Sequence, residues 1–344
     1  MPVLFKKKKE KEGWRTFFDF FPTPKFLEMP SPGLAISETG LRLVEFSHTK
    51  KGYILERADS APFSESLISA GDIKDKEKLI LELKKFREKH NLRYVRASLP
   101  EEKAYLFNTT LNQEQMENAS TSIEFSIEEN VPLSVSEAVF DFVVVNPDRS
   151  PDEPAKVNVS VVSQEVVAEY LEVLRTAEFE PLHFEIESQA IVKSVIPRND
   201  AGVNVILNLS RGRAGLYIAD GRAIAFTSTI PLAQYGSDQK TPLSAECLNE
   251  ILVEMKKIFL YWQNLAERME KRIKPIEKII LVGEDGGRAE VADFLGKSFE
   301  VSIEKGNVWQ NVFSLDDYVP SISREESLSY AVAIGLAMPR RSKI

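Results

Sequence analysis

One local pattern, a strand followed by a tight turn and further strands, occurs twice in this chain of 344 residues. The first copy turns at Thr39-Gly40, and the second turns at residues 211–215 and again at Asp220-Gly221. The strand-like stretches are residues 34–36, 41–46 and 53–58 in the first copy and 204–209, 216–219 and 222–229 in the second. A duplication over so long a distance predicts two pseudo-equivalent lobes rather than a solenoid of short repeats.

Composition excludes several classes of protein. A hydrophobic content of 43% is ample for a sizeable core, and a net charge of −8 disfavours a nucleic-acid-binding face. Cys247 is the one cysteine, so the chain forms no intrachain disulfide and no paired-cysteine metal site, which fits a reducing compartment. No apolar run reaches the roughly 18 residues that span a bilayer, and no signal peptide follows the first residues. We therefore expect a cytoplasmic protein.

The segment between the two copies has its own rhythm of strands and helices. After a helical pattern at Lys76–His90, strand patterns lie at residues 94–99, 106–111, 138–145 and 157–162, and helical patterns at 113–130 and 164–177. We predict an inserted α+β subdomain over residues 93–183. The first lobe then consists of residues 33–92 and 184–202.

The second lobe, predicted over residues 203–344, contains the longest periodic signal. Apolar residues between Leu248 and Ile273 recur every three or four positions, which indicates one long amphipathic helix with Thr241 and Pro242 suited to its start. An apolar strand at residues 276–282 follows, and then a glycine-rich turn. A helix at 289–297, a strand at 299–303 and a helix at 323–338 complete the predicted lobe.

Residues 1–32 form an extension with a different composition, in which a run of lysines precedes several aromatic residues and prolines. Two interpretations stay open. The aromatic side chains could pack on the first lobe as a strap, because leaving them in solvent is unfavourable. Alternatively, the extension could contact a membrane surface, since each basic residue near anionic headgroups contributes roughly 1 kcal/mol.

The glycine-rich turn at residues 283–287 also has two interpretations. A strand that ends in such a turn and opens a helix lets backbone N–H groups approach a phosphate or a ribose. Glycine serves equally well to make any strand-to-helix turn tight. The turn alone therefore does not decide between a nucleotide site and a packing requirement.

The order of elements, hairpin, insertion, hairpin, long helix, glycine turn and terminal helix, resembles the actin-like ATPase superfamily. Within it, the chain is most similar to the PilM family of type IV pilus assembly proteins, with the FtsA family as a more distant relative. The matching stretches are residues 21–30, 128–133, 138–142, 186–188, 230–232 and 330–337. The resemblance implies an α/β, actin-like (ribonuclease H-like) duplicated fold, with a first lobe of 1A type, an inserted α+β subdomain of 1C (SHS2) type and a second lobe of 2A type.

The resemblance also places a nucleotide site between the lobes, but this chain departs from the family there. Both family phosphate loops begin Asp-Ile-Gly, and here Ala35 and Asn208 replace the metal-side aspartates. A methyl group cannot hold a cation, and an amide lacks the charge that Mg²⁺ prefers. The resemblance therefore implies a degenerate nucleotide site at Ser37, Glu38, Thr39, Asn208, Ser210, Arg211, Gly283, Asp285, Gly286 and Gly287, with no metal site and no catalytic residue.

Three further observations bear on that site. Only residues 233–244 separate the second copy from the long helix, which predicts a reduced outer (2B) subdomain and a weaker wall for an adenine. Arg211 and Arg213 could attract an anion, although arginines in a turn are more often solvated. The adjacent acid pairs Glu101-Glu102 and Asp316-Asp317 are predicted to be surface charge, so no hydrolytic dyad is expected.

The resemblance implies a cytoplasmic scaffold, peripheral to the inner membrane, for the assembly platform of a type IV pilus or a related secretion system. Its expected partners are the N-terminal tail of a PilN-like membrane protein, held against residues 94–111 and the following helix, other platform proteins and ATPases, the inner-membrane surface and further copies of itself. No nucleic acid and no cofactor are expected. The alternative is an ATP-binding switch or slow ATPase that uses ATP and Mg²⁺.

Two other members of the superfamily fit the sequence less well. A sugar or acetate kinase would need an acidic base and intact phosphate loops. A membrane-tethered filament protein of FtsA type usually ends in an amphipathic helix. Here only residues 339–344 follow the last predicted helix, so we expect no such tether.

Overall fold

The computed structural model describes residues 31–49, 52–146, 149–150, 153–232, 243–268 and 274–338. The strands are β1 Gly33–Ser37, β2 Gly40–Thr49, β3 Gly52–Pro62, β4 Ile68–Ser69, β5 Asp72–Ile73, β6 Tyr94–Leu99, β7 Ala104–Leu111, β8 Ala138–Val144, β9 Ala155–Ser163, β10 Glu180–Ile186, β11 Val203–Ser210, β12 Arg213–Asp220, β13 Ala223–Pro231, β14 Ile276–Val282 and β15 Ser302–Lys305. The α-helices are α1 Lys76–His90, α2 Gln113–Glu117, α3 Ala119–Asn130, α4 Gln164–Thr176, α5 Glu187–Val195, α6 Ala245–Arg268, α7 Ala289–Gly296, α8 Arg324–Ser327 and α9 Ala331–Ala337.

Some predictions fall outside these residues. All but the last two residues of the predicted extension 1–32 lie there, as do Thr241 and Pro242 and most of the short 233–244 segment. Along the described ranges, none of the helices has the length and apolar character that crossing a membrane requires.

The first lobe is built on a five-stranded sheet in the order β10-β6-β1-β2-β3. β1, β2 and β3 pair antiparallel, and β6 and β10 are added in parallel. Alternation along β1 directs Leu34 and Ile36 into a core with α1 and α4, and Ala35 into a second core between the lobes. The sheet is therefore buried on both faces, as parallel strands require.

The second lobe repeats this topology strand for strand, in the order β13-β12-β11-β14-β15. Three antiparallel strands are again followed by two parallel ones. The amphipathic helix α6 buries Ile251 and Met255 against the outer face of the sheet. The duplication predicted from the two hairpins is confirmed, and with it the two-lobed α/β architecture.

Helices α5 and α9 pack between the two sheets and join the lobes through a shared core. The two helices are so close that only glycine fits at position 335. A Cβ there would lie 1.8 Å from the Ala190 carbonyl oxygen. The predicted continuous helix at 323–338 is instead divided into α8, a 3₁₀ turn at Leu328–Tyr330 and α9. At the division the Leu328 carbonyl accepts a hydrogen bond of 3.0 Å from the backbone N–H of Gly283.

The inserted subdomain is a three-stranded antiparallel sheet, in the order β7-β9-β8, with α2 and α3 on one face. Strand pairing narrows the insertion predicted over residues 93–183. β6 and β10 belong to the first-lobe sheet, and α4 packs in the first-lobe core. The insertion proper therefore lies between Ala104 and Ser163, because a parallel β6–β10 pair needs the intervening chain to leave the sheet and return.

Candidate functional site

Three turns meet between the lobes around an inner cavity of about 30 Å³: residues 38–39, residues 211–212 and residues 283–287. Of the ten residues predicted for a nucleotide site, seven line this inner cavity: Ser37, Glu38, Thr39, Asn208, Ser210, Arg211 and Gly283. Asp285 and Gly287 line an adjoining outer chamber. Gly286 packs against β14 instead, where an added Cβ would lie 2.4 Å from the Val282 carbonyl oxygen. The sequence thus brings the correct turns together, while their nucleotide role stays a prediction.

Close packing is sufficient to explain why the turn after β14 has a glycine at position 283. Gly283 has a φ of +93°, in the left-handed region that favours glycine. A Cβ there would lie 2.4 Å from the Leu209 carbonyl oxygen and 2.6 Å from the Asn208 side-chain oxygen. The close approach of this turn to β11 therefore explains its glycine without any ligand.

A charged bridge crosses the cleft at the mouth of the inner cavity. The Arg42 guanidinium and the Thr39 hydroxyl both donate hydrogen bonds to Oε1 of Glu284, which joins the first hairpin to the glycine turn of the other lobe. The Glu284 side chain is 8% exposed and that of Arg42 is 16% exposed. We call this contact the Arg42–Glu284 bridge. Neither Arg42 nor Glu284 was singled out in the sequence, because they lie 242 positions apart and match no motif.

Two positions in the cleft lack the carboxylate that Mg²⁺ prefers. Ala35 offers no side-chain oxygen, and Asn208 offers only an amide. Glu38 accepts a hydrogen bond from the Ala70 backbone and Glu284 is held in the bridge. A cavity of about 30 Å³ also accommodates little more than one water molecule, whose share of liquid volume is about 30 Å³.

The outer chamber, about 880 Å³, contains more acid than base. Its carboxylates are Glu38, Glu65, Glu284, Asp285, Glu325 and Glu326, and its arginines are Arg42, Arg211 and Arg288. Two of the arginines are already paired, Arg42 with Glu284 and Arg288 with Asp285. Glu65 and Glu325 are likewise paired, with Lys78 and Lys305, so the net negative charge around the chamber is small and repels a triphosphate only weakly.

A second set of ion pairs lies deeper in the cleft and centres on Arg213, the first residue of β12. Its guanidinium contacts Glu102 at 2.5 Å and also donates to Glu187, the first residue of α5. The side chain of Arg213 is only 10% exposed, so the solvated alternative is excluded for this residue, whereas Arg211 is exposed as expected. Although burial disfavours its charge, Glu187 and Glu102 raise the pKa of Arg213 well above its usual value.

The prediction of surface charge is wrong for Glu101-Glu102 and confirmed for Asp316-Asp317, which are exposed. Glu101 is 3% exposed and accepts a hydrogen bond of 2.9 Å from the Ser188 backbone N–H. Burial raises the pKa of Glu101 to about 7, with further contributions from the nearby Glu187 and Glu102 carboxylates. The error arose because adjacent acids are usually solvated, whereas here a 3₁₀ turn at Glu101–Lys103 folds them against α5 and β12.

A groove of about 1050 Å³ lies against strands β8 and β9 of the inserted subdomain. It separates the sheet of the insertion from β10, α5 and the β12–β13 hairpin. Strand β8 is the last strand of its sheet, and its alternate residues Val139, Asp141 and Val143 are exposed. Val139 is 43% and Val143 is 50% exposed, and Val145 continues the same row. We call these residues the β8 row.

Hydrogen bonds fix the walls of the groove to both lobes. Asn158 donates to the Ile224 carbonyl of the second lobe at 2.7 Å, and Gln189 on α5 donates to the Ser160 hydroxyl at 2.5 Å. The sequence placed a partner groove against residues 94–111 and the following helix, which stays a prediction; within that range β6 is paired on both sides and β7 is the other outer strand of the insertion sheet. Only Leu99 of that range lines the groove.

This chain is similar in sequence and in structure to known proteins. A family model described as type IV pilus assembly protein PilM matches residues 33–207. The solved structure of a PilM–PilN type IV pilus biogenesis complex superimposes with a TM-score of 0.71 at 21% identity, covering 90% of this chain and 98% of the other. The ethanolamine utilization protein EutJ from Carboxydothermus hydrogenoformans gives a TM-score of 0.48 at 10% identity, covering 92% and 90%. A search of curated protein sequences finds no match.

Proposed function

The chain belongs to the family of type IV pilus assembly protein PilM, and from that premise we propose that it is an assembly scaffold that holds a membrane partner without turning over ATP. The partner is the cytoplasmic N-terminal tail of a PilN-like protein of the inner membrane, and the tail lies in the groove beside β8. The scaffold is then cytoplasmic and peripheral to that membrane. A PilM–PilN complex is known for the similar solved structure, which supports the choice of partner.

The β8 row is the observation that carries the proposal. An edge strand offers free backbone groups on one side, and peptides are commonly captured by adding a strand to such an edge. Alternate side chains of an extended peptide would contact Val139, Val143 and Val145, which lie on one face of the strand. The groove thus suits an extended segment with apolar residues at every second position.

The groove is also preformed. Its β9 wall is held to the second lobe by Asn158 and to the first lobe by Gln189, so the groove exists before a peptide binds. A short tail can then bind with useful affinity, because the ordering cost falls mainly on the peptide.

Titration of the full chain with a fluorescently labelled tail peptide of the PilN-like protein tests the proposal. We expect saturable binding in the micromolar range, and none for a peptide of the same composition in scrambled order. Equal binding of both peptides, or no binding of the tail peptide at high micromolar concentration, would show that the groove does not hold this partner.

The alternative function, an ATP-binding switch or slow ATPase, is disfavoured by the closed cleft. The Arg42–Glu284 bridge and the inner cavity of about 30 Å³ both oppose a triphosphate bound between the turns. Calorimetric titration with Mg-ATP separates the two functions. We expect no binding below the millimolar range, and a measured dissociation constant in the micromolar range would favour the switch.

Other partners belong to the same proposal. Platform proteins, their ATPases and further copies of the chain would contact its exposed faces, and co-purification from the native cell followed by mass spectrometry would identify them. The lysine-rich extension is proposed to contact the inner membrane. Liposome flotation with and without residues 1–28 tests that contact, and equal flotation of the two proteins would leave the strap interpretation.

A further inference from the structure

Three parts of the molecule meet at one buried cluster of charged side chains. Glu101 and Glu102 lie on the 3₁₀ turn through which the chain leaves β6 and enters the insertion. Glu187 begins α5 in the first lobe, and Arg213 begins β12 in the second lobe. We call these four residues the junction cluster.

The junction cluster holds three carboxyl groups and one guanidinium. Arg213 contacts both Glu102 and Glu187, so neither of its ion pairs involves Glu101. Glu101 receives one backbone hydrogen bond through Oε2, and its Oε1 has no hydrogen-bond partner among the described residues. An ionised carboxylate in that position would be compensated by Ser188 alone and by no positive charge, and burial of such a charge is costly.

The other groups that face Glu101 do not supply the missing positive charge. Glu102 lies on its own turn, Glu187 at the start of α5, and the buried Tyr217 hydroxyl on β12. Two of the three are carboxyl groups and the third is a phenol. The neutral acid is therefore favoured, and burial raises the pKa of Glu101 to about 7. Both protonation states are populated near neutral pH.

We infer that the junction cluster is a proton-responsive hinge between the inserted subdomain and the second lobe. With Glu101 protonated, Arg213 holds the 3₁₀ turn and α5 against β12. Loss of the proton places a third buried carboxylate beside Glu102 and Glu187, and their repulsion loosens the contact of the 3₁₀ turn with β12. The insertion, whose β8 row faces the groove, then moves relative to the second lobe. This inference goes beyond the proposed function, since it concerns the motion of the chain without any partner.

Spin-label distance measurements on the full chain test the hinge. In a background with Cys247→Ala, one label is placed at Ser120→Cys on α3 and the other at Lys257→Cys on α6, both exposed positions in the two parts that would move. A second pair, Lys257→Cys and Lys297→Cys, lies within the second lobe and serves as the matched control. Distances are recorded between pH 6 and pH 8.

We expect the 120–257 distribution to shift and broaden as pH rises, with a midpoint near pH 7, while the 257–297 distribution stays constant. Glu101→Gln, which keeps an acceptor for the Ser188 N–H but cannot ionise, should retain the pH 6 distribution throughout. An unchanged 120–257 distribution in the otherwise native chain overturns the inference, even if the glutamine variant fails to fold. The same pH response in Glu101→Gln would also overturn it.

Discussion

The cleft between the lobes and the groove beside the insertion are both boundaries between parts of one fold, but they are constructed in opposite ways. The cleft is crossed by the Arg42–Glu284 bridge and the Arg213 ion pairs, and its inner cavity measures about 30 Å³. The groove measures about 1050 Å³ and exposes the valines of the β8 row on an edge strand. In the cleft, ion pairs join the parts of the chain to one another, whereas in the groove the valines of the β8 row stay exposed for a partner.

This difference implies that the cleft contributes mainly to the stability of the fold and the groove mainly to partner binding. In this chain, side chains of the two lobes contact each other directly across the cleft. Substitutions in the cleft should therefore act first on the free energy of unfolding. Substitutions in the groove should change peptide binding and leave the free energy of unfolding nearly intact. Each of the following predictions tests one side of that contrast, beginning with the largest effect.

Arg213→Ala should lower the free energy of unfolding by about 3–5 kcal/mol, because it leaves Glu102 and Glu187 buried without their positive partner. Chemical denaturation at pH 7 measures the change. Arg211→Ala, two residues away but exposed, is the matched control and should change stability by less than about 0.5 kcal/mol. Similar losses in the two variants would mean that the Arg213 pairs do not hold the cleft closed.

Glu101→Gln should alter the pH dependence of stability. The pKa of Glu101 rises from 4.5 to about 7 on folding, so its neutral form stabilises the protein fully below pH 4.5 and that contribution is lost as pH rises through 7. We compare the free energy of unfolding of the variant with that of the native chain at each pH. This difference should be about 3 kcal/mol more favourable to the variant at pH 8 than at pH 4.

Denaturation midpoints at several pH values provide this measurement. Glu129→Gln, an exposed glutamate on α3, is the control and should follow the native curve. A constant difference between Glu101→Gln and the native chain from pH 4 to pH 8 would show that Glu101 does not carry the proton.

Val143→Asp should weaken binding of the tail peptide by roughly 100-fold, which corresponds to about 2.7 kcal/mol. The peptide would have to bury part of the new carboxylate next to the Asp141 carboxylate of the β8 row, and removing a charge from water is costly. Since Val143 is 50% exposed in the free chain, folding should be unaffected. Fluorescence titration of the peptide gives the affinity.

Phe125→Asp is the matched control for that experiment. Phe125 is 78% exposed and lies on α3, on the opposite side of the insertion from the groove. The affinity of the Phe125→Asp variant for the peptide should stay within about twofold of the native value. If the two aspartate variants lose binding equally, the peptide does not lie along β8.

Local patterns were sufficient to predict most elements but not the contacts that close the cleft. The two hairpins predicted the duplicated lobes, because strand alternation and turn residues are read within a few positions of each other. The Arg42–Glu284 bridge joins residues 242 positions apart, and no local signal specifies that pairing. The boundary of the insertion was misplaced for a related reason, since a strand pattern at 94–99 does not state which sheet the strand joins.

Burial of charge was the second kind of information missing from the sequence. Adjacent glutamates are normally solvated, so the position of Glu101 follows only from the packing of its 3₁₀ turn on α5. Gly283 was singled out for a nucleotide role that stays a prediction, and its packing against β11 emerged only from the three-dimensional arrangement. The position of the groove likewise depended on knowing that β8 is an outer strand of its sheet whereas β6 is paired on both sides.

The smallest expected effect concerns the aspartates missing from the cleft. Ala35→Asp combined with Asn208→Asp restores both metal-side carboxylates, yet we expect calorimetry to detect no binding of Mg-ATP below the millimolar range. The Arg42–Glu284 bridge still closes the inner cavity, and the short outer subdomain that we predict over residues 233–244 would still leave little wall for an adenine. Adding Glu284→Ala removes the bridge and one negative charge but not the short wall, so binding should remain weak. Sub-micromolar binding by the double variant would mean that the two aspartates alone separate this cleft from a working nucleotide site.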